Sequence, residues 1–242
     1  LDIGSDITVC LDDFTDPKAE KDKIKESVDR TIHWAKRSRI EFDEQIKKRK
    51  LTDKTKPKLF AVIQGGFDKE LRAYCMSELQ KIGFDGYGFG GYMIDEKTGL
   101  LDLEMSKYIA DLIPDKYPKF ALGFGKPFEI AALYEMGWDI FDCTLPTRDG
   151  RHMRLYVFKK EPKTFAGLKN QKTFGYVYIN REKYRRDEKA VSEFCDCFCC
   201  KNYSRAYLHH LFNINDSLAY RLATIHNLRV YTKLVACLKK LK

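Results

Sequence analysis

Residues 194 to 210, FCDCFCCKNYSRAYLHH, place four cysteines within six positions and end on two adjacent histidines. Thiolates and imidazoles are soft-metal ligands, and Cys195-x-Cys197-x-x-Cys200 offers three thiolates within one turn. That spacing suits a closed tetrahedral zinc site with Zn–S bonds of about 2.3 Å. Cys199, beside Cys200, diverges from it and is read as a bystander. A fourth donor is required. His209 and His210 are near in sequence, while His226 lies on the stripe Leu218, Leu222, His226, Val230, Leu234, Leu238 that a closing helix over about 216 to 241 would bury. A lone histidine on such a face is more often a satisfied core residue; three thiolates upstream make it a candidate. The other cysteines, Cys10, Cys75, Cys143 and Cys237, lie scattered in apolar surroundings and read as reduced core residues.

A second set of residues is defined by position rather than proximity. Asp12, Gln64, the pair Gly90 and Gly91, Gly123 and Asp142 each follow a short apolar run: ITVCL (7 to 11), LFAVI (59 to 63), GYGF (86 to 89), FAL (120 to 122) and WDIF (138 to 141). Helical patterns separate these runs. The longest, from about Lys18 to Arg49, carries Ile24, Val28, Ile32, Ala35, Phe42 and Ile46 on one stripe. Strand and helix alternating in this way predict a parallel sheet, because parallel neighbours need a crossover. A barrel and a doubly wound sheet both satisfy the pattern. One strand-end Asp would be only a helix cap; five strands delivering small or polar residues at their C-terminal ends favour a βα barrel with a site there. With RLYVF (154 to 158) the expected strands number six, two short of a closed TIM (β/α)8 barrel, and the reading places the first strands before Leu1. From about 160 to 200 the alternation stops, and a basic, β-rich insertion is expected. No run approaches the roughly 18 apolar residues of a membrane span and no leader pattern opens the chain, so a cytoplasmic protein is expected.

Charge is segregated. Residues 151 to 242 carry 20 Lys and Arg against 7 Asp and Glu, a net of +13; residues 1 to 150 carry 24 against 28, a net of −4. A basic segment of that size suits a polyanion such as RNA, although a solvated lysine surface has the same composition.

The motifs VIQGG, GFDGYGFGG, GFGKP, FDCTLPTRDGR, CDCFCCKNYSRAYLHH and TIHNL, in this order, resemble the tRNA-guanine transglycosylase family, over what would be its C-terminal two thirds. The resemblance implies a βα barrel portion over residues 1–158, a zinc-binding insertion over 159–215, and a final barrel helix over 216–242. It puts the zinc ligands at Cys195, Cys197, Cys200 and His226. It also implies exchange of the wobble-position guanine of a tRNA for a 7-deazaguanine base, with Asp142 as the nucleophile that traps the ribose, as in retaining glycosidases. Guanine presents N–H donors beside a carbonyl, so its pocket needs a carboxylate and an opposing donor. Asp12 would supply the first, and Gln64 with the backbone N–H of Gly91 the second. Gly123, Lys126, Arg148 and Arg151 would hold the anticodon loop. The family's upstream, proton-accepting aspartate has no counterpart in these 242 residues. GGYMIDE stands where bacterial members commonly have Gly-Gly-Leu-Ala-Val-Gly-Glu, which places Tyr92, Met93 and Asp95 by the incoming base. The implied partners are tRNA, the deazaguanine base and a second subunit, in a homodimer or heterodimer.

Two other readings compete. One is a non-catalytic tRNA-binding subunit that keeps the zinc fold; intact Asp12, Gln64 and Asp142 favour the enzyme. The other is a metal-dependent hydrolase on a barrel, weakened because His33, His152, His209 and His210 form no ligand pattern with the strand ends.

Overall fold

The computed structural model describes residues 1–16, 19–90, 94–95, 100–161 and 163–241. They form two compact units: Leu1–Gly123 with Met136–Asp142, and Phe124–Glu135 with Cys143–Lys242.

The first unit is α/β. Its strands are β1 (Ile7–Val9), β2 (Lys58–Ile63), β3 (Gly86–Phe89), the short antiparallel pair β4 (Ile94–Asp95) and β5 (Leu100–Leu101), β6 (Lys119–Ala121) and β7 (Ile140–Phe141). Helices α1 (Lys21–Lys48), α2 (Lys69–Ile82) and α3 (Leu103–Leu112) lie between them in sequence. Five strands make one all-parallel sheet in the order β1-β2-β3-β6-β7. Each strand sits beside its predecessor. A doubly wound sheet reverses direction at a switch point, whereas a sheet that grows one way with right-handed crossovers is the winding of a TIM barrel. The expected fold class is borne out.

Local sequence explains the elements. In β2, Leu59 to Ile63 are all buried, as a strand covered on both faces requires. Helix α1 buries Ile24, Val28, Ala35 and Phe42, but also Ser27 and Thr31. Asp68 and Asp102 cap α2 and α3, accepting from Leu71 N at 3.0 Å and Met105 N at 2.9 Å. Trp138, fully buried before β7, donates to Ser106 O at 3.2 Å.

The second unit contains α4 (Pro127–Glu135), α5 (Leu145–Arg151), β8 (Arg154–Phe158), α6 (Phe165–Lys169), β9 (Phe174–Tyr178), α7 (Phe198–Asn202), α8 (Arg205–Asn213) and α9 (Ser217–Leu241). Two expectations change here. RLYVF is a strand, but it pairs antiparallel with β9, from Arg154↔Tyr178 to Phe158↔Phe174, and does not join the parallel sheet. Its other edge is closed at Tyr156, whose N–H goes to Asn227 Oδ1 at 2.9 Å and whose carbonyl meets His226 Nε2 at 2.7 Å. Two neighbouring side chains of α9 thus take both backbone polar groups of Tyr156 on the edge of β8 away from β9. The stretch from 160 to 200 is also less β-rich than expected: among its described residues it holds the single strand β9, helix α6 and two short 3-10 turns, Gln171–Thr173 and Glu182–Tyr184, before α7 begins. Leu155, Val177, Ile179, Val191, Leu208, Leu211 and Leu222 form the core of this unit, with Cys199 fully buried among them. Cys199 is a core residue, as expected of a bystander.

Candidate active site and metal centre

Parallel strands send their C-terminal ends to one edge of a sheet, and that edge carries the strand-end polar residues. Asp142 directly follows β7; it is exposed, and its Oδ1 accepts from the backbone N–H of Gly123 at 2.8 Å. Gly123, two residues past β6, holds φ +79, which favours a residue without a Cβ. An exposed carboxylate oriented by a backbone donor can serve as a nucleophile or a general acid–base group.

Asp12 and Gln64 follow β1 and β2, and Gln64 donates from Nε2 to Asp12 Oδ2 at 2.5 Å. The chain after β1 is fastened to α1. Asp13 N donates to Thr31 Oγ1 at 2.9 Å, Ser27 Oγ donates to Asp13 O, and Arg30 pairs with the Asp13 carboxylate. This accounts for the two polar residues on the buried face of α1. Gln64 is buried, with its N–H on Cys75 Sγ at 3.4 Å. A carboxylate acceptor and an amide donor therefore lie side by side at the sheet edge. Gly91, the other expected donor, lies outside the described residues, as do Tyr92, Met93 and the side chain of Asp95.

The second unit gathers the metal-ligating residues. One ligand atom from each of Cys195, Cys197, Cys200 and His226 lies within 4.8 Å of the others. His226 Nδ1 is 3.6 Å from Cys197 Sγ and 3.2 Å from Cys200 Sγ; tetrahedral coordination by one thiolate and one imidazole gives an edge of about 3.6 Å. His226 is fully buried. Its Nε2 faces the Tyr156 carbonyl, which can only accept, so Nε2 carries the proton and Nδ1 is left to bind. Hydrogen bonds from Cys195, Cys199 and Cys200 hold the Cys197 thiol well below its usual pKa, and the backbone N–H of Cys200 donates to the same sulfur at 3.3 Å. The four residues fit one tetrahedral soft-metal ion.

The other histidines are accounted for, with His33 and His152 exposed. His209 Nδ1 meets Ile179 O at 2.7 Å and its Nε2 meets Asn213 Nδ2 at 2.9 Å, a satisfied core position, while His210 is exposed. Three supports were not anticipated from sequence. Asn227 donates to Pro146 O at 2.9 Å and Arg154 O at 3.0 Å; Arg229 grips Asp196 through two bonds of 2.6 and 2.7 Å; Lys233 donates to Phe194 O at 2.6 Å. These three face the cysteine loop and β8 from the same stretch of α9 as His226. Asn227 adjoins His226 within TIHNL, and that adjacency was the only signal available.

Arg148 and Arg151 are exposed on α5, with Arg148 Nε 3.6 Å from Asp149 Oδ1. Asp149 is buried and receives Tyr156 Oη and the Arg154 guanidinium, whose Nε lies at 2.9 Å. Lys126 pairs with the buried Glu129 at 2.9 Å.

Compared with known proteins, residues 1–241 match the family model described as queuine tRNA-ribosyltransferase. The queuine tRNA-ribosyltransferase of Aliivibrio salmonicida (strain LFI1238) is 36% identical over 239 residues, covering 99% of this chain and 57% of that protein. That of Methylacidiphilum infernorum (isolate V4) is 36% identical over 236 residues, covering 97% and 58%. The chain thus spans a little over half the length of these relatives.

Proposed function

The chain belongs to the queuine tRNA-ribosyltransferase family, and on that premise we propose that it carries the nucleophile, part of the base pocket and part of the tRNA grip of a transglycosylase. The enzyme replaces guanine at the wobble position of a tRNA with a 7-deazaguanine base. The observation that supports this best is the common sheet edge: Asp142, next to β7, emerges on the same side of one parallel sheet as the Asp12–Gln64 pair after β1 and β2.

An oxygen of Asp142 bonds to the ribose C1′ as the C1′–N9 bond breaks; the electron pair leaves with guanine, which takes up a proton. N9 of the 7-deazaguanine then attacks the same carbon, the C1′–O bond breaks, the carboxylate is restored and N9 gives up its proton. Two displacements retain the anomeric configuration. Asp12 accepts from the N–H edge of the base, and Gln64 contributes an amide donor toward its carbonyl. Arg148 and Arg151 on α5 meet anticodon-loop phosphates. Zinc is the ion assigned to Cys195, Cys197, Cys200 and His226; four protein donors leave no open position, so its role is structural.

Withholding free base tests the reading. In the full-length protein a denaturing gel should then show tRNA covalently attached to protein, and Asp142→Asn should abolish that band while tRNA still binds. A full-length wild-type protein that binds tRNA yet never forms the band would instead support the non-catalytic tRNA-binding subunit.

A further inference from the structure

Arg72 is fully buried on α2, and no carboxylate pairs with it among the described residues. Its Nε donates to Gly66 O at 2.9 Å and its Nη1 to Ile63 O, while Nη2 is buried with no partner among the described residues. Burial presses the guanidinium down to about 10. A buried cation without a paired carboxylate carries a desolvation cost, and an apolar residue of similar volume would fill the same space without it. Stability alone therefore does not explain the arginine.

Its two acceptors do. Ile63 and Gly66 flank Gln64 and Gly65, so one rigid guanidinium fixes the backbone on both sides of the glutamine. The turn between them needs such a clamp. Gly65 and Gly66 hold φ +145 and +55, and a Cβ on Gly65 would stand 2.7 Å from Arg72 N, so α2 is packed directly against the turn. One helical turn further along α2, Cys75 Sγ accepts the Gln64 N–H. The backbone N–H of Gln64 and the carbonyls on either side of the Gln64–Gly65 pair are thus all held by α2. What remains for Gln64 is to aim its amide, and it aims at Asp12.

We propose that Arg72 is a positioning residue for base recognition: it locks the Gln64 turn so that the amide lies against Asp12 in the orientation that a guanine-type base reads. The proposal rests on the base-pocket reading above. A flexible turn would let the glutamine rotate away and would weaken base affinity, while tRNA affinity and turnover at saturating base would change little.

The experiment uses the full-length protein and compares Gln64→Ala, Asp12→Asn, Arg72→Met and Arg72→Lys, with guanine as the free-base probe. Arg72→Met should raise the KM for base by about tenfold, the size of one charge-assisted hydrogen bond, leaving the KM for tRNA unchanged and kcat within about threefold. Arg72→Lys, one ammonium in place of a two-pronged fork, should fall between Arg72→Met and wild type. Amide hydrogen exchange of residues 64 to 67 should quicken in both variants while the middle of α2 stays protected. If Arg72→Met does not fold, Arg72→Lys supports the same measurements. Loss of base affinity in Gln64→Ala and Asp12→Asn but not in either Arg72 variant overturns the proposal, as does a uniform rise in exchange across α2 and β2. Unchanged base affinity in Gln64→Ala and Asp12→Asn overturns the pocket reading instead, and the exchange of residues 64 to 67, read without substrate, still decides whether Arg72 locks the turn.

Discussion

His226 Nε2 and the carbonyl oxygen of Tyr156 are 2.7 Å apart across 70 residues of sequence, and this bond joins the metal-ligating cluster to the middle of β8. The next residue on α9, Asn227, takes the N–H of the same Tyr156. Both backbone polar groups of one strand residue are therefore satisfied by adjacent side chains of one helix. The aromatic ring of Tyr156 lies beside that of Tyr231, and its hydroxyl reaches Asp149 on α5. The geometry of the Cys195–Cys197–Cys200–His226 cluster and the placement of α5 are consequently linked within one unit.

Metal removal should therefore be felt well beyond the cysteines. Elemental analysis after gel filtration is expected to give close to one zinc per chain. Chelation, or Cys197→Ala, should release it and expose β8 and β9 to hydrogen exchange, since much of a structural zinc's binding free energy is folding free energy. The α1 and α2 region should keep its protection. Zinc loss with unchanged exchange in β8 and β9 would contradict a structural role.

Asn227→Ala removes two donor bonds and one acceptor bond from a fully buried site, leaving Tyr156 N and the carbonyls of Pro146 and Arg154 short of partners. A loss of about 3 kcal/mol is expected, read as a fall in the denaturant midpoint. Asn227→Asp should cost a similar amount, because a carboxylate cannot donate to the two carbonyls.

Thiol alkylation should divide the cysteines into classes. Burial pushes Cys10 and Cys75 up to about 11. At pH 8 each is then about one part in a thousand thiolate, and reactivity should rise roughly tenfold per pH unit until that pKa is reached. Iodoacetamide at pH 8 should leave both unmodified in the folded protein. Chelation should make Cys195, Cys197 and Cys200 reactive without exposing Cys10 or Cys75, an outcome that peptide mass spectrometry can check directly.

The proposed tRNA interaction should weaken steeply with salt, since each neutralised phosphate releases counterions. Replacing Arg148 or Arg151, both exposed on α5, by alanine should lower affinity across tRNA sequences and reduce the log–log salt slope by about one each. Lys240→Ala, near the end of α9, should do neither. Equal effects from Arg151→Ala and Lys240→Ala would mean that the +13 segment acts only as a diffuse field.

Much of this molecule was legible in the linear chain because its signals are local. The βα alternation fixes a parallel sheet, since the crossover rule acts between sequence neighbours, and the Cys-x-Cys-x-x-Cys spacing brings three sulfurs together whatever surrounds them. What tertiary structure decided was every relationship between distant segments. That His226, and not His209, joins the three cysteines in one cluster depends on where α9 packs, and His209 is instead held by Ile179 and Asn213. That RLYVF pairs antiparallel with β9, while Asn227 and His226 take the backbone groups of Tyr156 on its far edge, rests on segments about 20 and 70 residues away. Asp12 and Gln64 are 52 residues apart, and no periodicity announces that the two side chains meet. Arg72 sat on the apolar stripe of α2 with Cys75, Met76 and Leu79, but a charge on a stripe reads as an exception until its acceptors, the carbonyls on either side of Gln64 and Gly65, are seen. Sequence patterns report backbone periodicity and local spacing; hydrogen bonds between side chains and remote backbone depend on packing distances of a few ångströms that no pattern encodes.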